Sequence, residues 1–344
     1  MTKTETAPQL AGSANPRPRR ALRLPAETGA IVMLAVLLGL LGGLRPAFLD
    51  PGNLWPLLGQ AAVPGLLAIG MVFVLAMREI DLSAGAVFHL CAVFTAMLMA
   101  AGIDPWPAAL GGVLLGVVLG LLNGLLAITL RLPVLVVTLG TWWMIQGLSQ
   151  VADKALTIAS PTAGGGFFAM LSAKAFAMVP MAVIVLVVLA VILHIVLHRT
   201  RFGYRVQAIG SNPQAAAYAG IPTAQVRLLA LGLMGAMAGL AGVIHVGAGG
   251  SIAPGDGSEF GLLAIAAALL GGTSLKGGHG SIVGAVIGML VAQAILSAIA
   301  LLGVDAAWRT FATGALVVLA LAADRLLMLL RKRRSGHGQD GLFG

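Results

Sequence analysis

Ten apolar stretches, most of them about 20 residues long, divide this 344-residue chain, and nothing else in it limits the fold so strongly. A run of that length crosses a hydrocarbon core of roughly 30 Å as an α-helix, which closes its backbone hydrogen bonds within itself. The stretches lie at Gly29–Leu44, Leu54–Met77, Ala86–Gly102, Ala108–Leu130, Pro133–Ala152, Ala175–Leu197, Leu228–Gly249, Phe260–Leu275, Ser281–Gly303 and Trp308–Met328. The composition agrees, with 59% hydrophobic and 10% charged residues where a soluble domain carries about 25% charged. The expected fold is therefore an all-α polytopic membrane protein with about ten transmembrane helices.

Charge orients the bundle. If the N-terminus is cytoplasmic, the inner segments hold Lys3, Arg17, Arg19, Arg20, Arg23, Arg78, Arg131, Arg199, Arg201, Arg205, Arg227, Lys276, Arg325, Arg331, Lys332, Arg333 and Arg334. The outer segments keep only Arg45, Lys154, Lys174 and Arg309. So one-sided a split is what the positive-inside rule requires, and an odd span count would spoil it. Both termini are thus expected in the cytoplasm. The chain divides into a disordered cytoplasmic tail (1–28), a transmembrane domain (29–328) and a basic cytoplasmic tail (329–344). The leader is long and polar, with no small-residue cleavage site after its apolar run, and reads as a tail rather than a signal peptide. The net charge of +9 follows from topology, and no nucleic-acid partner is implied, because the basic residues sit in short segments between spans rather than on one solvated face.

Several chemistries find no support. The spans lack the paired Asp, Glu, Lys or Arg that mark the ion path of a coupled carrier. The segment "GGTSLKGG" has Leu275 where a phosphate-binding loop needs glycine before Lys276. Cys91 is the lone cysteine and lies in an apolar run, so it reads as a core residue; no metal or cofactor is expected. Two stripes of small residues, Gly112/Gly116/Gly120/Gly124 and Gly232/Gly235/Gly239/Gly242, suit close helix packing. The polar side chains within spans, Gln60, Asn123, Thr138, Gln146 and Gln293, either face a translocation path or bond neighbouring helices.

The longest internal polar segment, about His198 to Arg227, contains "RFGYRVQAIGSNPQAAAYAGI". Asn212 can cap a helix with Pro213 at its first position, and Gly220 followed by Pro222 stops it after about two turns. A helix so short is marginal alone in water and needs a docking surface.

Here a family resemblance emerges. "AIGSNPQAAAYAGI" resembles the coupling segment of ribose-type permease subunits of bacterial ATP-binding cassette importers. "IDLSAGAV", "LPVLVVTLGTWWMIQGL" and "AIAAALLGGTSLKGGHGSIVGAVIG" resemble three further motifs of that family, in the same order over about residues 50–325. The resemblance implies that Asn212, Pro213, Gln214, Ala215, Ala216, Tyr218, Gly220 and Ile221 couple to a cytoplasmic ATPase, and that Asp81, Ser83, Gly272, Ser274 and Gly277 belong to cytoplasmic family motifs. It also implies a periplasmic solute-binding protein, docking on Asp153–Lys174 and Gly249–Glu259, and a second permease copy, identical or not, in the bacterial inner membrane. The solute would be a monosaccharide or related small polar molecule. A branched-chain amino-acid permease and an ion-coupled secondary carrier are the alternatives. Two departures stand out: Arg78-Glu79 replaces the family's Gly-Gly, and Val134 its Phe. Arg78-Glu79 reads either as a solvated surface pair or as an ATPase contact.

Overall fold

The computed structural model describes residues 27–154, 157–159, 166–175, 178–303, 305 and 307–336, so the expected N-terminal tail lies almost wholly outside the described residues. Within them most of each apolar stretch is helical. The helices are α1 (Thr28–Leu44), α2 (Pro51–Ala76), α3 (Ala84–Ala100), α4 (Pro105–Thr129), α5 (Val134–Asp153), α6 (Gly166–Ser172), α7 (Met181–Arg199), α8 (Arg201–Ser211), α9 (Pro213–Tyr218), α10 (Thr223–Gly249), α11 (Phe260–Leu270), α12 (Ile282–Leu301) and α13 (Ala307–Gly336). Six of these, α2, α4, α5, α7, α10 and α12, are long and apolar enough to cross a membrane; shorter apolar helices occupy α1, α3, α11 and part of α13. The protein is thus an all-α polytopic membrane protein. Helix α13 runs on to Gly336, past the boundary at 328 expected for the last span.

Helices α2 and α10 form the centre of the bundle, and every residue of α2 from Ala61 to Ala76 is buried. Pro56 and Pro64 sit inside α2, where neighbouring helices rather than water must satisfy the carbonyls that proline frees. The two glycine stripes pack against each other, antiparallel. A Cβ on Gly239 would lie 2.9 Å from the Gly112 carbonyl oxygen, and one on Gly116 would strike the backbone of Gly235 and Gly239. Either substitution would force α4 and α10 apart. By contrast α4, α5 and α7 turn Leu114, Val118, Trp143, Met144, Val187 and Ile192 outward as uncovered apolar surface, which suits lipid or a second subunit.

Helix α3 starts inside the bundle rather than at its face. Asn123, which donates to the Ser83 hydroxyl at 2.8 Å, lies six residues before the end of α4, or about 9 Å along its axis. The turn Ile80–Ser83 therefore dips inward before α3 begins. From the opposite end the segment after α10 does likewise: its first residues, β4 (Ser251–Ile252), pair with β1 (Ile158–Ala159), then it turns in until Gly257 is buried against Phe88. The N-termini of α3 and α11 abut, and a Cβ on Gly85 would lie 2.6 Å from the Ser258 carbonyl oxygen. Helix α11 has 11 residues and rises only about 16 Å, roughly half a hydrocarbon core. The stretch expected at Phe260–Leu275 is accordingly a half-span. The expected span Ala175–Leu197 also starts later: β2 (Lys174–Ala175) and β3 (Val179–Pro180) form a hairpin before α7.

Candidate functional site

The end of the bundle that carries Arg78, Arg131, Arg199, Arg201, Arg205, Arg227 and Lys276 holds most of the residues singled out above, and its core is a three-way backbone contact. Gly210 of α8 lies so close to Ala76 of α2 that any side chain there would collide with the Ala76 carbonyl. That carbonyl accepts the N–H of Gly278 at 2.8 Å. Gly277 and Gly278 have φ of +69° and +76°, a region open to glycine at no steric cost. The "GGTSLKGGHG" loop thereby folds onto α2 and α8, while Ser274 accepts the N–H of Lys276 at 3.2 Å and Gly272 turns the chain with φ +90°.

Arg78 ties this contact together. Its guanidinium donates to the Lys276 carbonyl and, at 2.8 Å, to the Ser211 carbonyl, the last residue of α8. Its neighbour Glu79 pairs instead with Arg227 of α10 at 2.8 Å. Arg78, itself exposed, and Glu79 thus do not pair with each other but point to different partners, and Arg78 adopts φ +66° and diverges from the helix path. Arg227 also lines, with Arg131 and Pro133, a hollow of about 400 Å³ between the start of α10 and the turn joining α4 to α5.

Immediately beyond Ser211, α9 forms as the sequence requires. Asn212 accepts the Ala215 N–H at 3.0 Å as N-cap, and Pro213 opens the helix. Gly220 takes φ +76°, and the N–H groups of Gly220 and Ile221 return to the carbonyls of Ala217 and Ala216, the paired C-terminal bonds of a glycine stop. The expected contact face is altered, however. Ala216 is 5% exposed and packs inward against its own chain, whereas Tyr218 is 92% exposed and Gln214, Ala217 and Gly220 are open. The small face seats α9; its outward side is the tyrosine face.

The remaining candidates separate into three groups. Asn123 and Thr138 hold the inward turn: Thr138 Oγ1 accepts the Leu82 N–H at 3.2 Å, and Ser83 donates both N–H and hydroxyl to the buried Asp81 carboxylate at 2.8 and 2.6 Å. Gln293 of α12 donates to Gln60 of α2 at 3.0 Å. Gln146 on α5 is different, since its side-chain oxygen is buried with no hydrogen-bond partner, and such an acceptor is costly unless something bonds it.

Sequence reasoning missed a polar cluster at the other end. His89 of α3, 1% exposed, bonds the Asp256 carbonyl at 3.0 Å and the Asp153 carboxylate at 3.4 Å, and His245 of α10 lies 3.7 Å from the Asp256 carboxylate. The expectation that the spans lack paired Asp, Glu, Lys or Arg did not extend to histidine, and the His89–Asp153 contact lies outside it. The isolated histidines in two apolar runs were the available signal. Asp256 also accepts the Ala253 N–H at 2.8 Å, so part of the segment assigned to an outer docking surface is folded inward, with Pro254 and Gly255 left exposed. Among the described residues no cluster of His, Cys, Asp and Glu is placed to hold a metal.

Comparison with known proteins decides the family. Residues 53–321 match the family described as branched-chain amino acid transport system / permease component. The chain belongs to this permease family. It is 37% identical over 302 residues to the ribose import permease protein of Bacillus subtilis, covering 87% of this chain and 92% of that one. It is 35% identical to the D-allose transport system permease protein of Escherichia coli, over 87% of this chain and 91% of that one. To the autoinducer 2 import system permease protein of Salmonella typhi it is 34% identical, over 89% and 88% of the two chains. No solved structure matches. The protein is a multi-pass permease subunit of an ATP-binding cassette importer in the inner membrane, a transport component and not an enzyme. An ATPase and a periplasmic binding protein belong with such a subunit.

Proposed function

We propose that this permease forms the path for a monosaccharide or a related small polar solute. The observation that carries this reading is the identity of 34–37%, over nearly nine-tenths of the chain, to permeases named for ribose, D-allose and autoinducer 2. The family description also takes in branched-chain amino-acid permeases, but the named relatives at 34–37% identity are import permeases for ribose, D-allose and autoinducer 2. The path runs between two copies of the chain, or this chain and a similar one, through a bundle of ten helices with both termini cytoplasmic. The uncovered apolar faces of α4, α5 and α7 meet lipid or the second copy.

The basic end is the cytoplasmic end. There α9 presents Gln214, Ala217 and Tyr218 to the ATPase, while Ala216 keeps the helix seated on α8 and α10. Movement of the ATPase passes through Ser211 to Arg78 and the 272–280 loop, and from them to α2 and α12. The exposed part of the outer segments meets the binding protein. The test is reconstitution of the permease in liposomes with its co-encoded ATPase and binding protein, scoring ATP-driven entry of labelled ribose, allose and leucine. Entry of leucine alone would overturn the sugar reading, and entry driven by an ion gradient without ATP would overturn the importer mechanism.

A further inference from the structure

Helix α7 is the least covered of the six long helices, with 22% of its apolar stretch buried, and Val187, Val188, Val191, Ile192 and Ile195 form a continuous exposed aliphatic strip along it. The strip runs down to Arg199 in the last turn. Thr200 then bends the chain: its hydroxyl donates to the Val196 carbonyl at 2.6 Å and accepts the Gly203 N–H, starting α8. Helix α8 buries Gly203, Val206, Ile209 and Gly210 and leaves Arg201, Tyr204 and Arg205, spaced three and four apart, on its open face. Between this face and the end of α7 lies a hollow of about 510 Å³ lined by His198, Arg199, Arg201, Tyr204 and Arg205. Among the described residues no carboxylate comes within ion-pair distance of any of these three arginines.

We propose that this hollow binds the phosphate headgroup of an anionic phospholipid, whose acyl chains lie along the aliphatic strip of α7. Guanidinium groups match phosphate oxygens in paired hydrogen bonds. Tyr204, 73% exposed, is the amphipathic ring expected where headgroup and hydrocarbon meet. An acidic protein surface would satisfy the three charges equally well but leaves unexplained why an uncovered aliphatic strip leads into the same hollow. An amphiphile with a negative head accounts for both. The bound lipid would brace the α7–α8 elbow from which α9 projects.

The experiment is native mass spectrometry of the full-length permease taken from nanodiscs of equal phosphatidylglycerol and phosphatidylcholine. The wild type is expected to retain phosphatidylglycerol selectively. Each arginine near a membrane surface is worth on the order of fivefold in affinity for anionic lipid, so the Arg199→Gln, Arg201→Gln, Arg205→Gln triple variant should lose the preference, and Arg201→Gln alone should lower retention about fivefold. Both variants should still co-purify with the ATPase. An undiminished preference for phosphatidylglycerol in the triple variant overturns the proposal. So does loss of the ATPase at unchanged lipid retention, which would make the patch a protein contact. If the triple variant fails to fold, the single variant decides alone.

Discussion

Arg78 occupies a left-handed backbone position, φ +66°, which costs a non-glycine residue about 1–2 kcal/mol. Its two bonds to the Lys276 and Ser211 carbonyls offset this, each contributing about 1 kcal/mol for a partly exposed donor. Arg78→Ala removes both bonds and keeps the strain, so it should destabilise by about 2 kcal/mol. Arg78→Gly removes both bonds but also the strain; after about 0.5–1 kcal/mol for glycine's freedom in the unfolded chain, its cost should be nearer 1 kcal/mol. The expected order is thus wild type, then Gly, then Ala, although alanine is ordinarily the milder replacement. Thermal unfolding of the three purified proteins in one detergent reads this out, with Gly melting about 2 °C above Ala. Ala melting level with or above Gly would refute the reasoning, since the backbone at 78 could not then be left-handed. The same proteins, reconstituted with the ATPase, should both transport less solute per ATP hydrolysed than wild type, because either change unties α8 from the 272–280 loop.

The two faces of α9 should respond differently. Ala216→Glu, at a buried position, should cost several kcal/mol and lower the melting temperature, while Tyr218→Ala should leave melting unchanged and weaken ATPase co-purification; the reverse pattern would reassign the faces. His89→Ala should destabilise by about 1–3 kcal/mol, because it removes the buried hydrogen-bond partner of the Asp256 carbonyl, and an unchanged melting curve would count against that bond. Burial by itself would raise the Glu27 carboxyl, but the Ser281 hydroxyl together with His279 and His194 lowers it below the usual range. Its contribution is therefore present above the unfolded value near 4.5 and lost as pH falls through the lower folded value; Glu27→Gln should flatten the acid limb of a melting-temperature profile. Reporter fusions at Gln214 should read cytoplasmic and those at Asp104 and Gly255 external, and an external signal at Gln214 would invert the topology.

The parts of this fold that were legible in the sequence are those set by local physics. Apolar length yields the helices. The two glycine stripes fit one another because a residue without Cβ on each side is what lets α4 and α10 touch backbone to backbone. Asn212-Pro213 and Gly220 bound α9 by capping chemistry alone. What could not be read is whatever depends on partners far apart in the chain. Arg78 and Lys276 are 198 residues apart, and no periodicity relates them. The direction of Ala216 was equally hidden, since six helical residues with alanine on three successive positions carry no apolar stripe to say which side is down.

The inward turn at Gly257 was not legible for a more general reason. Polarity separates water from hydrocarbon, but a loop that tucks one glycine against protein while its other residues stay open looks the same in sequence as one wholly in solvent, and irregular backbone is tolerated at membrane depth when protein covers it. The distinguishing evidence is steric: Gly85, Gly257 and Gly261 sit where α3, Phe88 and the start of α11 leave no room for a side chain. Helices α3 and α11 begin at one buried point and are joined to opposite faces of the protein, α3 through the Ile80–Ser83 turn beside Arg78 and α11 through the segment that contains Asp256. Arg78 at the basic end is separated from the N-terminus of α3 only by the short Ile80–Ser83 turn. There α3 meets the segment held by Asp256, the residue that His89 and His245 anchor. The abutting N-termini of α3 and α11 thus bring segments from the two ends of the bundle into contact.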